Sequence, residues 1–211
     1  MTNRCVSLPA PRRTAGFTMI EVLVTLIVIA LGLIGVIGLQ ARGQQAELES
    51  YQRGQALALL QDMVDRMNTN RADAHAGSYV TGSAVGGGGA LTDCSTLTGA
   101  AFDLCDWGNE LNGAAEVTGG GTCTTANGAN CIGAMIGARG CITYAAGTEL
   151  TDSTGATETG TGIYTVQVAW QGIAATANPP AGLTCGQNLY PSEAQRRVVA
   201  ATLRIADLNS P

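Results

Sequence analysis

From Val22 to Leu39 the chain runs for eighteen residues without a charge, and Thr25 carries the only hydrogen-bonding side chain among them. As an α-helix rising 1.5 Å per residue, such a run spans about 27 Å, close to the roughly 30 Å hydrocarbon core of a bilayer. A transmembrane span at about residues 20–39 is therefore expected. Beyond Leu39 polar residues take over without a turn signal, while Leu48, Tyr51, Ala56, Leu59, Met63 and Met67 recur at three- to five-residue steps. That spacing predicts that the helix continues to about residue 73, with its apolar stripe docked on a globular head. Gly43 and Gly54 are places where it weakens or bends. "NTNRADAHAGS" ends it, with His75 capping a helix end or solvated.

The later pattern is different. "TLTGAAFDLCDWGNELNG" predicts a helix over 98–111, with Ala101, Phe102, Leu104, Cys105 and Leu111 inward and Asp103, Asp106 and Glu110 as a solvated acidic face. In "GIYTVQVAWQG" Tyr164, Val166, Val168 and Trp170 alternate with smaller or polar residues, and in "RRVVAATLRIADL" Val199, Ala201, Leu203 and Ile205 do the same. Both read as antiparallel strands, joined by one near "GCITYAA" and a weaker one near "AAEVT". Arg196 and Arg197 read as solvated strand-edge residues. The expected fold is α+β: a long N-terminal helix, transmembrane then amphipathic, packed on a small antiparallel sheet with Gly-rich loops and disulfides.

Composition narrows the function. Twenty-nine glycines against two phenylalanines make a lean core with much loop. Eleven arginines, no lysine and sixteen acids leave no basic footprint, so no direct nucleic-acid binding is expected. No metal or cofactor is expected either, because the seven cysteines lack any C-x-x-C pair, His75 is the only histidine, and the Gly runs lack a phosphate-loop lysine. His75 has no evident nucleophile beside it, so the chain does not read as an enzyme. Disulfides fit the cysteines better and imply an oxidising compartment. Arg4, Arg12 and Arg13 precede the span and Glu47 and Glu49 follow it, which keeps the N-terminus cytoplasmic.

One carboxylate, Glu21, stands a helical turn into the apolar segment, a costly place for an unpaired charge. With its basic leader, "GFTMIEVLVTLIVIALGLIG" resembles the type III signal of type IV pilins and type II secretion pseudopilins. The resemblance implies that prepilin peptidase cuts between Gly16 and Phe17, that Phe17 becomes the N-methylated terminus, and that Glu21 pairs with the amine of an adjacent subunit during assembly. The chain then divides into a cytoplasmic leader at 1–16, a pilin-type helix at 17–75 and a head at 76–211. Removing the leader takes Cys5 and three arginines, leaving six cysteines and eight arginines. Six cysteines allow fifteen pairings. Cys94 with Cys105 and Cys123 with Cys131 would close short loops, and Cys141 with Cys185 would tie the loop before the last strand to the sheet. Gly32, Gly35 and Gly38 form either a small-residue packing face or a stretch able to extend.

In the head, "FDLCDW", "YTVQVAWQG", "CG" and "RRVVAATLRIAD" resemble the minor-pilin class called PilV, a type IV pilus modification protein. The glycine-rich inserts at 82–92 and 117–130 have no counterpart there. That resemblance implies a minor pilin acting in pilus assembly or priming, and in adhesion or motility. Its partners would be other major and minor pilins, prepilin peptidase, the inner-membrane assembly machinery and, before assembly, membrane lipid. It would sit in the inner membrane of a Gram-negative bacterium with its head in the periplasm, then in the extracellular filament. A type II secretion pseudopilin and a permanently anchored adhesin are the alternatives.

Overall fold

The computed structural model describes residues 16–88, 90–114, 133 and 135–205. Helix α1 runs Met19–Thr69 and a short α2 follows at Arg71–His75. The helix expected to reach about residue 73 therefore stops earlier, at Asn70, whose φ of −105° and ψ of 63° leave the helical region. Asn70 turns its side-chain amide to Asp73 at 2.8 Å, the local competition that makes Asn a helix breaker. Gly43 and Gly54 lie within α1, and an added Cβ at either would meet nothing within 4 Å.

The chain forms two compact units that divide between Gln44 and Gln45. In the first, the large apolar side chains from Phe17 to Leu39 are 48–88% exposed. Their helix is long and apolar enough to cross a membrane, and none of its most apolar window is buried.

The second unit has the expected α+β architecture. Strands β1 (Val85–Gly86), β2 (Ile136–Ala145), β5 (Ile163–Gln171) and β6 (Arg196–Arg204) form an antiparallel sheet in the order β1-β2-β5-β6. Strands β3 (Leu150–Thr151) and β4 (Thr157–Glu158) make a separate hairpin between β2 and β5. Helix α3, Gly99–Leu111, packs with the later part of α1 on the sheet. Of the weaker strand expected near "AAEVT", residues 115–118 lie outside the described residues.

The buried face of α1 differs from the expected stripe: it is Gln52, Ala56, Leu60, Met63 and Met67, while Leu48 and Tyr51 are exposed. The buried set keeps steps of three and four, whereas the step of five from Tyr51 to Ala56 crosses to another side of the helix. In α3 the inward residues are Ala100, Trp107, Gly108 and Leu111, while Ala101 and Phe102 face outward. Trp107 decides that register. Its indole Nε1 donates to the Leu59 carbonyl at 2.9 Å, and its ring lies over Gly140 of β2, where a Cβ would stand 2.3 Å from ring carbons.

The run "VGGGG" is not only loop. Val85 and Gly86 pair with Gly140 and Arg139, and a Cβ on Gly86, whose φ is +80°, would lie 2.7 Å from the Ala138 carbonyl oxygen. The missing side chain is what lets this short strand close on β2.

Candidate functional site

Gly16, Phe17 and Thr18 precede α1, all exposed. Thr18 starts the helix: its carbonyl accepts from Glu21 N at 3.1 Å and Val22 N at 3.3 Å, and its Oγ1 also accepts from Glu21 N at 3.3 Å. Thr18-Met19-Ile20-Glu21 thus has the T-x-x-E spacing of a capping box, a local signal that hydrophobicity alone passes over. Glu21 lies in the first turn, where the helix's positive end favours a carboxylate. Part of what makes the charge tolerable is therefore local. Phe17, Glu21, Val22 and Thr25 line an open notch of about 270 Å³. Thr25 Oγ1 donates to the Val22 carbonyl at 2.8 Å, so its hydroxyl is satisfied within the helix. Among the described residues the Glu21 carboxylate has no ion-pair partner. Along the same segment, Cβ atoms added at Gly32, Gly35 or Gly38 would meet nothing within 4 Å.

The family model described as the prokaryotic N-terminal methylation motif matches residues 11–37. The chain carries a prepilin-type signal. The motif spans the basic residues Arg12 and Arg13, the Gly16-Phe17 bond, Glu21 and most of the apolar run, and it indicates a precursor of the type IV pilin or pseudopilin kind. No curated protein and no solved structure matches the chain.

In the chain's second unit, disulfides join Cys94 to Cys105 and Cys141 to Cys185, with Cα atoms 5.8 and 5.6 Å apart. The first ties a loop to α3, the second ties β2 to the segment before β6. Cys123 and Cys131 lie outside the described residues. Among the described residues no group of His, Cys, Asp and Glu is placed to hold a metal.

The acidic side of α3 is not simply solvated, as expected from its sequence. Arg66 of α1 reaches Asp106 at 2.8 Å and Glu110 at 3.1 Å, lies 3.8 Å from Asp103, and pairs with Asp62 of its own helix at 2.7 Å. Burial opposes the Arg66 charge, yet hydrogen bonds to Asp106 and Asp62 and the surrounding carboxylates hold it above its ordinary pKa. Burial pushes the Glu110 carboxyl up despite Arg66, and its Oε2 is buried without a hydrogen-bond partner. Tyr79 is raised by burial and by donating to Asp103. Asp73 of α2 caps α3, its Oδ2 accepting from Ala100 N at 2.8 Å.

Two further expectations are corrected. Arg196 is only 3% exposed: it pairs with Glu193 at 2.6 Å and donates to the Leu183 and Cys185 carbonyls at 2.7 and 3.0 Å. Arg197 donates to the Ala174 and Ala194 carbonyls at 2.6 and 3.0 Å. The segment between β5 and β6 folds back over the start of β6 and presents those carbonyls. His75 neither caps nor points fully to water: its Nε2 is buried without a partner, and Gly160, at φ +86°, passes close over its backbone.

Proposed function

We propose that this prepilin is a minor pilin of a type IV pilus, of the PilV type, cut between Gly16 and Phe17 and N-methylated at Phe17. The observation that carries the reading is the coincidence of the methylation motif with a capped, exposed apolar helix bearing, among the described residues, one unpaired carboxylate at its start. Cleavage creates an amine at Phe17, and Glu21 is its complement on an adjacent subunit. A carboxylate–amine pair in apolar surroundings sets register and contributes specificity more than stability. Residues 20–39 hold the precursor in the inner membrane with residues 76–211 on the periplasmic side, where the disulfides form, and the mature subunit acts in priming and assembly of the filament.

Mass analysis of the N-terminus of the membrane-extracted protein tests this. The expected chain begins at N-methylated Phe17, and a start at Met1 rejects processing in favour of an anchored protein. Glu21→Ala is expected to be cut normally but to enter filaments poorly; normal incorporation would remove the register role. Co-purification with sheared surface filaments separates a pilin from a type II secretion pseudopilin.

A further inference from the structure

Among the described arginines, all but Arg42 and Arg53 donate hydrogen bonds to carboxylates or carbonyls. Arg53 lies in a groove of about 380 Å³ between α1 and β6, beside Ala46, Ser50, Trp170, Val198 and Val199. Glu49 stands one turn before it, the spacing at which a helix pairs Glu with Arg. Here Glu49 is diverted: its Oε1 accepts from Ala174 N at 3.2 Å and from Arg197 Nη2 at 3.4 Å. Among the described residues the Arg53 guanidinium is left without an ion pair, in a groove whose walls mix apolar side chains with Glu49, Ser50 and Arg197.

Further along α1 the balance reverses. Arg66 alone faces Asp62, Asp103, Asp106 and Glu110, and the exposed Asp65 beside them accepts only a neutral hydrogen bond, from Gln61 at 2.9 Å. At about 100° per residue, Asp65 lies roughly 120° around the helix from Arg53 and about 18 Å along it. The surface short of an anion and the surface with surplus anions thus face different ways on one helix.

We propose that the Arg53 groove receives the acidic edge of α1 from a second copy of this chain, with Asp65, and Asp62 beside it, meeting the guanidinium of a parallel helix shifted by about nine to twelve residues, the sequence distance from Arg53 to each carboxylate. The inference rests on the prepilin reading, since subunits inserted in one membrane orientation present their helices parallel. Because the donating and receiving faces differ, the contact between two copies is heterologous, not two-fold symmetric. Such a contact uses Asp65, which Arg66 does not neutralise, and shares Asp62 with the Arg66 pair at 2.7 Å.

The absence of lysine from the chain provides the test. Arg53→Lys introduces the only side-chain amine, and the full-length protein is reconstituted in phosphatidylcholine vesicles as a mixture of unlabelled and 15N-labelled copies. A zero-length carbodiimide then joins amine to carboxylate wherever the two touch. The expected product is a covalent dimer whose mixed-isotope peptides link the introduced amine to Asp65 or Asp62, and adding Asp65→Asn, which spares the Arg66 pairs, lowers its yield at least threefold. Linkage of that amine to Glu49 of its own copy alone, or no covalent dimer, overturns the proposal. The same digest reports the N-terminus: methylated Phe17 without the cross-linked dimer rejects this contact alone, whereas the cross-linked dimer in chains starting at Met1 upholds it and rejects processing.

Discussion

Replacing Gly140 by alanine probes the contact that seats α3 on the sheet. Gly140 has no positive φ, so alanine adds a steric demand without backbone strain. Its Cβ would stand 2.3 Å from Cη2 and Cζ3 of Trp107 and 2.9 Å from Cδ1 of Leu111, where ordinary contact needs 3.4–4 Å. The ring must retreat by about an ångström or more, yet it is fully buried and tethered through Nε1 to the Leu59 carbonyl. Overpacking costs about 1–3 kcal/mol and a strained or broken indole hydrogen bond about 1 kcal/mol more, while the lower chain entropy of alanine in the unfolded state offsets about 0.4–1 kcal/mol. A net loss of about 1.5–3 kcal/mol corresponds to a fall of roughly 4–10 °C in Tm for a domain of this size. Tryptophan fluorescence of the full-length chain in detergent micelles follows it, since Trp107 and Trp170 are the only two tryptophans. Gly54→Ala is the control: its Cβ meets nothing within 4 Å, and alanine in a helix interior stabilises by up to about 1 kcal/mol. A Gly140→Ala chain melting within roughly 1 °C of the wild type would refute the seating of Trp107 on β2.

Opening Cys141–Cys185, which closes a separation of 44 residues, is expected to cost about 4 kcal/mol on the chain-entropy argument, against about 3 kcal/mol for Cys94–Cys105 at a separation of 11. Urea midpoints of the two double-serine variants should fall in that order, and the reverse order contradicts the loop argument. Asp73 lies below the ordinary carboxylate range because Ala100 N–H and the Asn70 amide hydrogen-bond its charged form, and Glu149 does so because Tyr144 and Gly160 N–H bond to it. Folded values below the unfolded ones give stability that is present above about pH 4 and lost as pH falls through the folded values, so Tm should drop on acidification below about pH 4; a flat profile there counts against it. Glu110 has the opposite sign: its raised folded value gives a contribution present in acid and lost as pH rises, so Glu110→Gln should raise Tm at about pH 7 and narrow the gap at about pH 4. An equal gap at both pH values would remove burial of Glu110 as the cause.

The strands were readable because alternation depends only on a period of two, and Tyr164, Val166, Val168 and Trp170 all face the core. The α1 stripe was readable in its later half, where Ala56, Met63 and Met67 keep helical steps, and misread at Leu48 and Tyr51, where hydrophobicity alone admitted residues from another side of the helix. Gln52 is buried instead, and no hydropathy scale would select it. The charge partners were the least legible: Arg66 meets Glu110 across 44 residues and Arg197 meets Glu49 across 148, pairings that only the packed helices and sheet create. The methylation motif was legible because it is local, compressed into residues 11–37 between Arg12-Arg13 and the apolar run. Its Thr18 cap was equally local, and T-x-x-E spacing would have found it.

That cap also bears on how a peptidase would meet its substrate. The helix begins at Met19, and what defines its beginning is Thr18 together with Glu21, both on the far side of the Gly16-Phe17 bond from the leader. A protease needs the strand it cuts drawn out from its helix, and here the residues on both sides of the bond already lie outside α1. For a chain cut after Gly16, the residues that start and cap the helix, Thr18 and Glu21, would remain. A subunit cut at that bond would keep its capped helix start, and the cut would change the charge at that end without asking α1 to rearrange.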